Sequence, residues 1–155
     1  MTVYMLIFIL WLLLFAAVKF NLNPIQSGKS NARIATGLTF IFTGAMHFLI
    51  PGKYLEMMPP FVPAPLWMIY ISGIFEILGG VGLIIPMTKR WAAYGLAALL
   101  IAVFPANIYV AVNNIQLGGF MSDSFYQWLR LPLQFALIGW IFRLTTKTKI
   151  KEKIV

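Results

Sequence analysis

Five runs of the chain are too apolar to be anything but core or membrane span. The run Leu66–Pro86 contains "SGIFEILGG", whose single ionisable group is Glu76. Companion runs lie at Val3–Val18, Ile34–Ile50, Trp91–Val112 and Phe125–Leu144. Each approaches the roughly 20 helical residues that cross a hydrocarbon layer of about 30 Å. With 155 residues, 61% of them hydrophobic and 10% charged, a water-soluble domain has too little polar surface to cover this much apolar material. The expected solvent is lipid, and the expected class is an all-α integral membrane protein of five spans.

Charge placement supports the span count. The formal net charge of +8 would suit a nucleic-acid surface in a soluble protein. Here Lys19, Lys29, Arg33, Lys89, Arg90, Arg143, Lys147, Lys149, Lys151 and Lys153, ten of the twelve basic residues, fall on one side of a five-span arrangement. By the excess of Lys and Arg on cytoplasmic loops, the N-terminus is outside and the C-terminus cytoplasmic, in the cell inner membrane, with no nucleic-acid partner expected. Trp67, Trp91, Trp128 and Trp140 lie near span ends, as interfacial anchors do. The first run lacks a basic segment before it and an A-x-A-like cleavage site, so it is read as a retained helix. The tail "TTKTKIKEKIV" suits solvent or lipid headgroups.

The chemistry open to the chain is narrow. It has no cysteine, which removes thiolate and disulfide chemistry, and its one histidine and four acidic residues are too scattered for a metal site. No catalytic residue stands out. What does stand out is polarity inside the spans: His47, Glu76, Asn107, Arg130 and Gln134. At 1.5 Å per helical residue, all five fall between the outer interface and the midplane, on four different helices. Thr43 and His47 share a helical face, as do Ser72, Glu76 and Gly80, and as do Arg130 and Gln134. A charge at mid-span costs about 2.5–3.5 kcal/mol on insertion, so Glu76 is expected to be paired with Arg130 or His47, or to hold a proton. Depth alone favours contact between Glu76 and Arg130, direct or through His47 or water. Pro105 and Pro132 are expected to free the carbonyls of Ile101 and Trp128, near the donors of Asn107, Arg130 and Gln134. Asn107 and Gln134 equally suit plain helix-to-helix glue, and His47 suits an ordinary interfacial position.

The connector "PGKYLEMMPPFVPAP" is stiffened by Pro59, Pro60, Pro63 and Pro65 and made greasy by Tyr54, Met57, Met58 and Phe61. It reads as a lid over the outer mouth of the polar cluster, or equally as a rigid interfacial linker.

With these residues in hand, the sequence resembles the DoxX family of small membrane proteins. The stretches that carry the resemblance are "GAMHFLIPGKY", "MPPFVPAPLWMIYISGIFEILGGVGLIIPMTKRWAA", "FPANIYVA" and "WLRLPLQ", within about residues 34–144. The resemblance implies a four-helix transmembrane bundle core over 34–144, so that residues 1–20 form an extra N-terminal transmembrane helix and 145–155 a basic cytoplasmic tail. It also implies a polar set that falls on His47, Glu76, Asn107 and Arg130. Family members include a membrane subunit paired with a thiosulfate:quinone oxidoreductase, partners of redox enzymes and of quinone or catechol stress responses, and a distant animal branch resembling assembly factors for ion-channel receptors. The implied function is a membrane component of an oxidoreductase system, partnered by the bilayer and by a redox enzyme subunit or other membrane protein. A quinone is the favoured ligand, with His47 and Arg130 donating to a carbonyl, Glu76 accepting or relaying a proton, and the lid covering the ring. An intramembrane assembly factor and a small-molecule transporter are the alternatives.

Overall fold

A computed structural model of the chain describes residues 28–115 and 124–146. The first run and nearly all of the basic tail lie outside the described residues. Five helices follow in order: α1 (Gly28–Leu49), α2 (Pro51–Leu55), α3 (Pro65–Ile84), α4 (Lys89–Val112) and α5 (Ser124–Thr145), with no strand among the described residues. The apolar runs predict α3, α4 and α5 to within two residues at each end. α1 differs, because it begins at Gly28 rather than Ile34 and takes Lys29 and Arg33 into its first turns. Pro51 and Pro65 each stand in the first turn of a helix, where a missing N–H costs nothing. Ala64, just before Pro65, takes a left-handed conformation (φ 48°) that turns the chain into α3.

Among the described residues three helices are long and apolar enough to cross a membrane: α1 from Lys29, α3 and α4. The chain therefore fits a multi-pass membrane protein. α5 has the length, at 22 residues, but Gln127, Arg130, Gln134 and Arg143 leave it without a long enough apolar stretch. The surface is the inverse of a soluble protein's. Phe42, Phe75, Leu78, Ile101 and Phe135 are exposed, while Thr36, Thr39, Gln127 and Gln134 are buried. A central apolar cluster of Phe40, Leu83, Ala93, Leu96, Leu137 and Ile141 joins all four long helices.

Neighbour relations are simple. α1 packs on α3 and α5, and α4 packs on the same two, so α3 and α5 face each other only across the diagonal. The α1–α3 seam is the most extensive, and glycine makes it so. A Cβ on Gly37 would lie 2.7 Å from the Gly80 carbonyl oxygen, and one on Gly80 2.5 Å from that of Gly37. Gly44 and Gly73 are related in the same way, at 2.7 and 2.9 Å. Each helix thus carries two glycines seven residues apart, meeting antiparallel. Backbones this close gain dispersion and Cα–H···O contacts, which replace the hydrophobic drive that lipid removes.

Side chains finish the helix ends at the basic end of the molecule. The last carbonyls of a helix have no partner within it. The buried Arg33 donates through Nη1 to the Leu83 carbonyl and, at 2.8 Å, to that of Ile84. Thr88 Oγ1 donates to Gly82 O at 2.9 Å, so three successive carbonyls at the end of α3 are capped. Lys29 Nζ reaches Thr146 O at 2.8 Å, just beyond the last turn of α5. Both cations also oppose the negative ends of helix dipoles.

The seam makes a direct prediction. Gly44→Leu forces apart the α1 and α3 backbones and lowers stability by about 1–3 kcal/mol. Gly95→Leu, where nothing lies within 4 Å of the added carbon, changes it by no more than about 0.5 kcal/mol. Thermal unfolding in detergent checks both, and equal losses would remove the special role of the seam.

Candidate functional site

The glycine seam decides which polar groups meet. His47 Cβ packs on Gly73 and Glu76 Cβ on Gly44, at 2.8 and 3.0 Å from where a glycine Cβ would stand, so the two side chains reach toward each other across the seam. His47 Nε2 lies 3.8 Å from Glu76 Oε1. The opposite edge of the ring is fixed by backbone. Nδ1 is 3.0 Å from the Ile69 carbonyl oxygen, which can only accept, so the Nδ1 proton is donated there. Ser72 Oγ donates to the same carbonyl at 2.8 Å and stands 3.0 Å from Nδ1. Such a contact on one ring nitrogen sets the state of the other. A neutral imidazole with its proton on Nδ1 turns a bare lone pair toward Glu76.

The carboxyl is the unsatisfied member. Its side chain is 18% exposed, and Oε2 is buried with no hydrogen-bond partner among the described residues. Thr43 lies beside it, and its single hydroxyl hydrogen is shared among the Thr39 and Phe40 carbonyls and the Glu76 carboxyl. The site therefore has more acceptors than donors, and Oε2 is the acceptor left over. A buried acceptor left without a donor costs about 1–3 kcal/mol.

The loop after α1 closes over this pair. The Tyr54 ring, on α2, lies against the His47 imidazole with centroids 4.0 Å apart and planes tilted by 39°. Met57 and Met58 are half-buried, Pro59 is buried, and Phe61 is 76% exposed. Tyr54 is thus the loop residue whose ring packs on His47, and Phe61 points away from the packed interior. Burial, with the charge of Glu76 adding to it, pushes the Tyr54 phenol up to about 12.

The other three polar residues form a separate chain between α4 and α5. Arg130 Nη2 donates to Asn107 Oδ1, Asn107 Nδ2 donates to Gln134 Oε1 at 2.6 Å, and Gln134 Nε2 donates to the Leu100 carbonyl. The receiving carbonyl is that of Leu100, one residue before the Ile101 carbonyl expected to be freed by Pro105. The expected pairing of Glu76 with Arg130 gives way to two local partnerships. Similar depth does not bring the two together, because α3 and α5 lie across the diagonal. The sequence reading also missed Arg33, counted there only as an orienting charge. Its position near the start of α1 was the available signal, but its partners are backbone carbonyls, which leave no mark in a sequence.

A cavity of about 240 Å³ lies at the other end of the molecule, lined by Arg90, Tyr94, Phe142, Thr145 and Thr146.

Residues 36–145 match the family described as domain of unknown function DUF8561, and the chain belongs to that family. No curated protein and no solved structure matches it. The match spans both polar clusters and the Tyr54 loop, and begins beyond Lys29 and Arg33.

Two predictions follow from the geometry. In double-mutant cycles, His47→Ala and Glu76→Gln couple by about 0.5–3 kcal/mol, whereas Glu76→Gln and Arg130→Met add to within about 0.5 kcal/mol. Thermal unfolding scores both cycles, and coupling only in the second would reverse the assignment of partners. The second prediction is a pH dependence. A phenol raised in the folded state gives stability that is complete below its unfolded value of about 10 and is lost as pH rises through about 12. Wild type should therefore lose more stability than Tyr54→Phe between pH 9 and pH 12, read by unfolding at each pH; equal losses would place Tyr54 in open solvent.

Proposed function

We propose that this chain is a DoxX-like membrane component of an oxidoreductase system, holding a quinone or similar lipophile between His47, Glu76 and Tyr54. The observation that carries the reading is the acceptor excess: a buried Glu76 Oε2 without a partner, facing a histidine whose free lone pair points the same way. A ligand hydroxyl supplies the missing donor, and a quinol has such a group on an apolar ring. Apolar walls with a few convergent polar groups are the usual form of a small-molecule site, and an ionisable group inside a span usually marks a site or a pathway. The Tyr54 ring, flanked by Met57 and Met58, offers the flat cover that such a ring needs. Arg130 is not assigned to the ligand in this reading, since it donates to Asn107. The Asn107–Arg130–Gln134 chain serves instead to hold α4 to α5.

In the same reading, residues 34–144 are a four-helix transmembrane core in the cell inner membrane. Residues 1–20 add a further span, the N-terminus is outside, and 145–155 is a cytoplasmic tail. The electron acceptor for a bound quinol is then assigned to a partner redox enzyme; with no cysteine, the chain forms no thiol couple.

Mass spectrometry of lipophiles carried through mild-detergent purification tests the proposal. Wild type should retain a quinone or quinol. Glu76→Gln should fold as well or better, because the introduced amide donates to His47, yet retain at least about tenfold less, the loss expected for one charge-assisted hydrogen bond. A wild-type protein without quinone, or a variant that keeps it in full, would count against the proposal.

A further inference from the structure

The basic end of the molecule carries a second site, unconnected to the first. Lys29, Arg33, Lys89, Arg90 and Arg143 gather there, at the start of α1, the start of α4 and the end of α5. The acidic residues among those described are Glu56, in the turn after α2, and Glu76, within α3, so neither supplies countercharge at this end. Two of the cations are committed, Arg33 to the end of α3 and Lys29 to Thr146. Arg90 is exposed on the first turn of α4, a helix start that no side chain caps. It lines the cavity of about 240 Å³ together with Tyr94, Phe142, Thr145 and Thr146.

Tyr94 and Phe142 meet edge to face, with centroids 5.2 Å apart, and form one continuous aromatic wall. Thr145 and Thr146 spend their hydroxyl protons on the Phe142 and Arg143 carbonyls, at 3.0 and 2.9 Å. What remains to meet a ligand in the cavity is the Arg90 guanidinium and the aromatic wall, with the start of α4 close by. Trp91, 79% exposed on the next position, is an aromatic of the kind that marks the headgroup level.

We propose that this cavity binds the phosphate headgroup of an anionic phospholipid. Arg90 and the start of α4 hold the phosphate, and an acyl chain lies along Tyr94 and Phe142. A guanidinium matches phosphate oxygens in a two-pronged geometry, and a helix N-terminus adds favourable potential for an anion. The aromatic wall separates a lipid from a free anion, since inorganic phosphate has no use for it. The bound lipid would clamp α4 to α5 at the end where Lys29 already ties α1 to α5.

Native mass spectrometry of the full chain from detergent micelles tests this, with dioleoyl phosphatidylglycerol, dioleoyl phosphatidylcholine and inorganic phosphate as probes. Wild type should retain phosphatidylglycerol in preference to phosphatidylcholine. Arg90→Gln should weaken that retention about fivefold, the share of one basic residue at an anionic interface. Lys53→Gln, which removes a charge from the loop at the opposite end, should leave retention unchanged. Arg90 is exposed, so the variant should unfold at the wild-type temperature; if it does not, Tyr94→Ala replaces it and should also weaken phosphatidylglycerol binding. Equal retention in wild type and Arg90→Gln, an equal loss in Lys53→Gln, or displacement of the lipid by millimolar phosphate would each overturn the proposal.

Discussion

The packing of Gly37 on Gly80 and of Gly44 on Gly73 is the contact on which the rest of the structure depends. In lipid, two apolar helices gain nothing from hiding from each other, because the acyl chains are as apolar as leucine. What they can gain is close backbone contact, which side chains would prevent. The two reciprocal glycine pairs supply it and fix register at the same time, since sliding α1 along α3 would drive a Cβ of a neighbour into a carbonyl oxygen. From that register follows the meeting of His47 with Glu76. So does the position of Arg33 at the last carbonyls of α3, because antiparallel helices locked at two points must also meet at their ends.

The molecule then divides its polar groups by local neighbourhood. The α1–α3 seam holds an imidazole and a carboxyl with one acceptor unmet. The α4–α5 contact holds a chain of amides and a guanidinium in which each donor named finds an acceptor. These arrangements suit different work. A satisfied network stiffens the helices that carry it, whereas a site short of one donor is stabilised by whatever brings that donor in. Tyr54 packs on the site short of a donor and not on the satisfied network, a division on which the proposed binding role rests.

Much of this was legible in the sequence, for physical reasons that also mark its limits. Apolar runs broken by Pro51, Pro65 and Pro86 gave the helices, because length in lipid and the loss of a backbone donor are both local properties. The shared faces of Thr43 with His47 and of Ser72 with Glu76 were readable from the 3.6-residue period. Which faces meet was not, because depth in a membrane says nothing about which helices are adjacent. Glu76 and Arg130 lie at similar depth on helices that are diagonal to each other, and a linear sequence does not state that diagonal. Arg33 was unreadable as a cap for a related reason: its partners are the carbonyls of Leu83 and Ile84, and any residues there would serve. Phe61 looked like Tyr54 by composition, and only the course of the loop sends one inward and the other out.

The glycine seam sets His47 against Glu76. Because the chain has a single histidine, ¹⁵N labelling of histidine reports on His47 alone. Solid-state NMR in bilayers, with glutamate carboxyl carbons labelled by ¹³C, measures dipolar coupling from Nε2 to the nearest carboxyl. A weak but measurable coupling is predicted, in keeping with the 3.8 Å between Nε2 and Oε1, and it should vanish in Glu76→Gln prepared with the same labels. No measurable coupling in wild type, or coupling that survives the substitution, would contradict the account.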